Sequence, residues 1–148
     1  MRIRILFILA VGFLISSCMK DDELWDKNKS DYNEVYEGLF VVNEGNFMYN
    51  NASLSYYDIE SKQNINDVFY SANSLPLGDV AQSMIIRDSL DYIVINNSGK
   101  IYIMNINSFE FVGKIIGLTS PRYIHFIDDE KAYVTDVAKE RLDFVDIV

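Results

Sequence analysis

The chain carries DYIVIN at residues 91–96 and, after the short connection NSG, KIYIMNI at residues 100–106. Both segments are rich in β-branched and aromatic residues, and the Asn, Ser and Gly between them favour a tight turn, so the pair predicts two antiparallel strands. Their centres, such as YIVI at 92–95, are apolar at every position rather than at alternate ones. A strand with this pattern has both faces covered by other protein.

The same pair of predicted strands occurs three times along the chain. The other copies are KAYVTD at 131–136 with RLDFVDI at 141–147, and LFVVN at 39–43 with SLSYYDI at 53–59. Asn96 and Asp136 lie 40 residues apart, and Asn105 and Asp146 lie 41 apart. A period of about 40 residues is typical of the four-stranded blades of a β-propeller.

The best-defined repeat predicts four strands, at 80–87, 91–96, 100–106 and 109–116. We therefore predict an all-β fold, a partial β-propeller with blades at 38–76, 77–118 and 119–148.

The predicted blades do not complete a ring. Residues 38–148 make about 2.7 repeats, whereas closed propellers use about four to eight blades. We expect a truncated gene product or a fragment of a longer protein, in preference to a ring of several copies. A β-sandwich is the alternative architecture, but it gives no reason for a fixed repeat.

The N-terminus has the features of a secretory leader. Arg2 and Arg4 precede an apolar run at 5–15 that is too short to cross a bilayer comfortably. ISSC at 15–18 resembles a bacterial lipobox, which implies a signal peptide at 1–17, lipidation of Cys18 and anchoring in the outer membrane. The alternative, a buried or disulfide-bonded Cys18, lacks a second cysteine in the chain.

The segment after the cysteine is polar. MKDDE at 19–23 resembles the export signal of Bacteroidetes surface lipoproteins, which implies exposure at the cell surface; an acidic run that only extends the tether is the alternative. Residues 18–37 hold the acylated cysteine and a stretch rich in Asp, Asn, Lys and Glu, which predicts a flexible tether.

Acidic residues outnumber basic ones 22 to 13 over the whole chain, so we expect no nucleic-acid partner.

Three motifs resemble one known family. LGDVAQSM at 77–84, NNSGKIY at 96–102 and GLTSPRYI at 117–124 are similar to the YncE-like, DUF5074-type β-propeller lipoproteins of Bacteroidetes. That group includes BtuG-like surface proteins, which capture corrinoids such as vitamin B12 and pass them to a TonB-dependent outer-membrane transporter. The resemblance implies a corrinoid ligand and a transporter partner, and it covers nearly all of the mature chain.

Ligands of propellers commonly sit at one end of the central channel, where two sets of loops meet. These are the loops between the second and third strands and the loops that lead into each blade. The polar candidates in the first set are Asn43, Glu44, Asn46, Asn96, Asn97 and Asp136, and those in the second are Asp79, Gln82, Arg122 and Tyr123. Their amide, carboxylate, guanidinium and phenol groups suit the polar periphery of a large ligand.

Structural roles are the alternative for several candidates. Asn96 and Asp136 can bond turn amides, the role we expect for Asp58, Asn105 and Asp146 after the third strand of each blade. Arg122 can pair with a carboxylate between blades. Residues 44–51, with Phe47 and Tyr49, lengthen the first repeat and predict a recognition loop or a cap over the opening.

Catalysis has no support in the sequence. His125 is the only histidine, and its place in YIHFI at 123–127 predicts a strand residue rather than a general base or metal ligand. No Cys-His pair, zinc site, EF-hand loop or phosphate-binding glycine loop can be assembled. We expect a non-enzymatic binding protein without metal or cofactor. The alternatives are a scaffold for protein interaction in a surface complex and a dehydrogenase-like propeller.

Overall fold

The structure is a computed structural model that describes residues 37–138 and 143–146, all within one compact unit, Tyr36–Val148. The predicted signal peptide, Cys18 and nearly all of the predicted tether lie outside the described residues, as does the side chain of Asp146. Among the described residues, no helix is long and apolar enough to cross a membrane.

The described residues form three separate antiparallel sheets, which confirms the predicted all-β class. Sheet 1 contains β1 (Gly38–Asn43), β2 (Ser53–Asp58) and β3 (Gln63–Ile65). Sheet 2 contains β4 (Ala81–Arg87), β5 (Leu90–Ile95), β6 (Lys100–Asn105) and β7 (Phe111–Ile115). Sheet 3 contains β8 (Pro121–Phe126), β9 (Lys131–Asp136) and β10 (Asp143–Asp146). Three sheets do not fit the alternative two-sheet sandwich.

Sheet 2 confirms the four strands predicted for the central repeat, with ends that differ by one or two residues. Its order is β4-β5-β6-β7, so every strand pairs with its neighbour in sequence. The fourth strand begins later than predicted because Phe109 has a φ of +59°, which extended strands do not adopt. The turns follow the expected chemistry: Asn105 Oδ1 accepts the amide of Asn107 at 2.9 Å, and Asp58 Oδ1 accepts the amide of Ser61 at 2.7 Å.

The strand register corrects the sequence alignment of two candidate residues. Leu90 of β5 pairs with Asn105, and Lys131 of β9 pairs with Asp146, so the period between β5 and β9 is 41 residues. Asp136 therefore takes the place of Ile95, and the alignment of Asn96 with Asp136 is wrong by one position. A shift of one position moves a strand residue to the other face of its sheet. Ile95 lies on the face of sheet 2 that packs against sheet 1, so Asp136 lies on the face of sheet 3 that packs against sheet 2.

β5 buries side chains on both of its faces, as its continuous apolar pattern predicts. Ile93 and Ile95 pack in a cluster with side chains of sheet 1, whereas Tyr92 and Val94 pack in a second cluster with side chains of sheet 3. Sheet 2 thus lies between its two neighbours. Burial of each such side chain contributes about 1.5–3 kcal/mol relative to exposure, so these two clusters hold the three sheets together.

A short helix, α1 (Val68–Asn73), follows sheet 1 and was not predicted from the sequence. Six residues are too few to show a helical period, and tertiary contacts hold this helix in place. The Phe69 ring stacks on the Tyr102 ring with centroids 5.3 Å apart. Asn73 Nδ2 donates to the carbonyl oxygen of Phe109 at 2.8 Å, and Asn73 Oδ1 accepts the amide of Phe111 at 2.7 Å.

One ionisable side chain, that of Asp91, lies on the face of β5 that packs against sheet 1. Asp91 of β5 is fully buried, and neither carboxylate oxygen has a hydrogen-bond partner among the described residues. Burial raises the pKa of Asp91 from 3.8 to about 8, because desolvation disfavours the ionised form. Asp91 is therefore protonated in the folded state at neutral pH.

This raised pKa predicts a loss of stability with rising pH. The unfolded chain releases the Asp91 proton near pH 3.8 and the folded chain only near pH 8, so the contribution of Asp91 to the free energy of unfolding is largest below pH 4 and falls as the pH rises through that window. Urea unfolding at pH 5 and pH 7 is expected to show a loss of about 3 kcal/mol that Asp91→Asn abolishes. An equal loss in the wild type and in Asp91→Asn would contradict the assignment.

Candidate ligand-binding site

The candidate residues gather at one end of the three sheets, which we call the polar loop end. It consists of the β1–β2 loop at 44–52, the β5–β6 turn at 96–99, and the segments 77–80 and 117–120 that lead into sheets 2 and 3. Backbone hydrogen bonds join these segments: Ala52 N donates to Gly78 O at 3.1 Å, and Ala81 N donates to Glu44 O at 3.1 Å. Gly99 lies so close to Leu118 O that an added Cβ would be 2.6 Å from that oxygen.

Asp79 links three segments of the polar loop end. Its Oδ2 accepts the amide of Met48 at 2.8 Å and a hydrogen bond from Asn97 Nδ2, and its own amide donates to Ser98 Oγ at 3.0 Å. Asp79 is buried, and its Oδ1 has no partner among the described residues. The carboxylate therefore fixes the β1–β2 loop against the β5–β6 turn.

Asn96 and Asp136 both bond the segment that enters sheet 3. Asn96 Nδ2 donates to Ser120 Oγ and to Pro121 O, each at 2.9 Å. The Asp136 carboxylate accepts the amides of Thr119 at 2.8 Å and Ser120 at 3.0 Å. Both side chains are buried. Asp136 thus bonds backbone amides, as the structural alternative predicted, whereas Asn96 has a different structural role as a donor to a hydroxyl and a carbonyl oxygen.

Gln82 and Arg122 meet between the first strands of sheets 2 and 3. Each sits at a β-bulge, where the register of β4 or β8 skips one residue. Arg122 Nη1 donates to Gln82 Oε1, and Ser83 Oγ donates to Arg122 O at 2.6 Å. The partner of Arg122 is thus an amide, so the predicted alternative of a carboxylate is wrong. Arg122 Nε is buried and without a partner among the described residues.

The remaining candidates are exposed and lie apart from these bridges. Asn43 Nδ2 donates within sheet 1, to Ser53 Oγ at 3.1 Å and Ser55 Oγ at 3.0 Å. Glu44 and Asn46 are exposed on the β1–β2 loop. Tyr123 is 59% exposed on β8.

The β1–β2 loop carries the most exposed apolar side chains of the polar loop end. Phe47, Met48 and Tyr49 are 65%, 77% and 75% exposed, although the loop backbone is fixed by Asp79 and by the Asn46 amide, which donates to Asn51 Oδ1 at 2.7 Å. An exposed apolar cluster on a held backbone is suited to contact with a ligand or partner. This placement confirms the extended loop predicted at 44–51.

Two serines that were not predicted from the sequence act as bridges. Ser98 joins the β5–β6 turn to the entry of sheet 2, and Ser120 joins Asn96 to Asp136. Serines are frequent in turns because their hydroxyl groups bond nearby backbone groups, so no sequence signal separates these two from the others.

Within the described part of the chain, no group of three or more His, Cys, Asp or Glu side chains is placed to hold a metal ion.

Stacked antiparallel sheets with polar connecting loops at one end define an all-β repeat domain. Residues 37–142 match the model of a family described as a domain of unknown function, DUF5074. The chain belongs to this family, which confirms that part of the resemblance. No curated protein matches the chain.

The contacts of Asn96 predict a stability role that can be measured. Asn96→Ala leaves the buried Pro121 carbonyl without its donor, so we expect a loss of about 1–3 kcal/mol in the free energy of unfolding. The control is Asn107→Ala, which removes an exposed amide from the turn after β6 and should change stability by less than about 0.5 kcal/mol. Equal denaturation midpoints for the wild type and both variants would contradict the structural role.

Proposed function

We propose that this chain is part of a YncE-like β-propeller lipoprotein at the cell surface. In this proposal it captures a nutrient of the corrinoid class, such as vitamin B12, and passes it to a TonB-dependent outer-membrane transporter. The proposal rests on the lipobox at 15–18, the stacked sheets and the exposed loop at the polar loop end.

The packing of the sheets supports a propeller. Sheet 2 contacts sheet 1 through one face and sheet 3 through the other, as each blade of a propeller contacts its two neighbours. The first strands β4 and β8 lie side by side at the contact of Ser83 with Arg122, where a propeller has its axis. Leu39 and Val41 are 57% and 47% exposed on the face of β1 that a further blade would cover.

The single observation that favours ligand capture is the exposed cluster of Phe47, Met48 and Tyr49 on the loop that also carries the exposed side chain of Asn46. A corrinoid has broad apolar faces and a rim of amide side chains. Aromatic rings can cover those faces, and asparagine amides can both donate to and accept from the rim. Hot spots of binding are likewise enriched in Tyr, as well as in Trp and Arg.

Titration calorimetry of the chain with cyanocobalamin tests the corrinoid assignment. We expect measurable heat at micromolar ligand and a loss of affinity of at least about tenfold, or 1.4 kcal/mol, in Phe47→Ala and Tyr49→Ala. Val112→Ala, which removes an exposed apolar side chain from β7, should bind as the wild type does. The absence of heat up to about 100 μM ligand would remove the corrinoid assignment and leave the fold untouched.

The lipid anchor is tested separately by fractionation. Cys18→Ser removes the thiol that would carry the lipid, so we expect the protein to leave the outer-membrane fraction. Replacing the acidic residues at 21–23 by alanine should keep it in the membrane but protect it from protease added to whole cells. Retention of Cys18→Ser in the outer-membrane fraction would contradict lipidation at this residue.

A second candidate function is a scaffold for protein interaction. The same exposed aromatic cluster supports it, because protein interfaces are enriched in Phe, Tyr and Met. Capture of a TonB-dependent transporter by a chain that binds no cobalamin would favour this candidate over nutrient capture.

A further inference from the structure

A cleft opens beside the polar loop end, between the β1–β2 loop, the start of β2 and helix α1. Its volume is about 510 Å³, which falls in the range of about 300–1,000 Å³ that is usual for small-molecule sites. The corrinoid proposed above is a macrocycle with a nucleotide arm and is too large for this cleft. Any ligand of the cleft is therefore a second one.

The cleft has an apolar floor and a polar rim. Leu54, Phe69 and Leu77 lie beneath it and are all nearly inaccessible to solvent, so they support the cleft and offer little surface to a ligand. Their burial in the core cluster between sheets 1 and 2 makes the floor rigid. A rigid floor needs no reorganisation when a ligand binds, which favours affinity.

The polar rim is formed by Asn50, Asp67 and Tyr70, which line the cleft and are exposed. Asn50 and Asp67 have φ values of +52° and +53°, in the left-handed region that Asn, Asp and Gly tolerate best. The Asp67 side chain makes no capping bond to α1, although it occupies the N-cap position. Its carboxylate is thus free of the role that usually occupies an acid at this place.

The groups of the rim select the chemistry of the ligand. None of the described residues that line the cleft is Lys, Arg or His, so an anion would meet the Asp67 carboxylate without a counter-charge. A carboxylate accepts hydrogen bonds from hydroxyl groups, and the Asn50 amide can donate to and accept from them. The Tyr70 ring, 57% exposed, offers an apolar face for the C–H groups of a sugar ring. We propose that this cleft binds a neutral saccharide of one or two rings.

The proposal is tested on the chain by saturation-transfer NMR and calorimetry with methyl mannoside, N-acetylglucosamine, maltose and lactose. We expect at least one of the four to bind with a Kd in the millimolar range or tighter. Tyr70→Ala should weaken that binding at least about tenfold, and Asp67→Gly should weaken it as well. Glycine keeps the left-handed backbone while it removes the carboxylate. Tyr123→Ala is the matched control, because it removes a ring of similar exposure, 59% against 57% for Tyr70, that does not line the cleft.

Three outcomes would overturn the proposal. The first is no binding of the four saccharides at about 10 mM. The second is binding that Tyr70→Ala and Asp67→Gly leave unchanged while both variants keep the wild-type melting transition. The third is tighter binding of choline than of every saccharide, which would make the cleft a cation site formed by Asp67 and Tyr70. Because Tyr70 and Asp67 lie outside the loop proposed for cobalamin, the cobalamin titration decides that assignment independently.

Discussion

The burial of β5 on both faces is the constraint on which the rest of the structure depends. Ile93 and Ile95 need sheet 1 to cover them, and Tyr92 and Val94 need sheet 3. Neither neighbour can be removed without exposing a layer of aliphatic and aromatic side chains to water. Stacking of consecutive sheets is therefore a requirement of this strand, and the connecting loops are brought together as a result.

The hydrophobic attraction between the sheets has no preferred direction. Hydrogen bonds and an ion pair at the two ends of the sheets fix the position of one sheet relative to the next. At the polar loop end, Asp79, Asn96 and Asp136 tie the segments that enter sheets 2 and 3 to the turns beside them. At the opposite end, Arg87 forms an ion pair with Asp129 and lies over the Phe126 ring, 4.7 Å from its centroid. The hydrogen bonds and the ion pair at the two ends thus align the sheets, while the apolar clusters between the sheets supply most of the stabilisation.

The sequence predicted the strands well because their signal is local. Continuous apolar runs bounded by Asn, Ser and Gly identified β5 and β6, and the β1–β2 loop was visible as an extra length in the repeat. The sequence could not reveal helix α1, whose position depends on the Tyr102 ring 33 residues away. Spacing along the sequence also misaligned Asp136 by one position, because it does not show which residues pair across the strands and hence which face of the sheet a side chain occupies.

The candidate site was predicted in part for the same reason. Position along the repeat identified the segments that come together, yet it could not separate residues that bridge sheets from residues that remain exposed. Asp79 and Asn96 are committed to hydrogen bonds within the protein, whereas Glu44, Asn46 and the aromatic side chains of the same loop are free to contact a ligand. The rim of the cleft depends on the unpredicted helix and had no sequence signature.

Native-state hydrogen exchange of the backbone amides tests the central claim most directly. If sheet 2 is held between two neighbours, the paired amides of β5 and β6 should exchange only through global unfolding, and those of β3 and β7 should exchange through local opening at lower free energy. Protection that is equal in all strands, or strongest in β3 or β7, would contradict the stacking of sheet 2 between sheets 1 and 3.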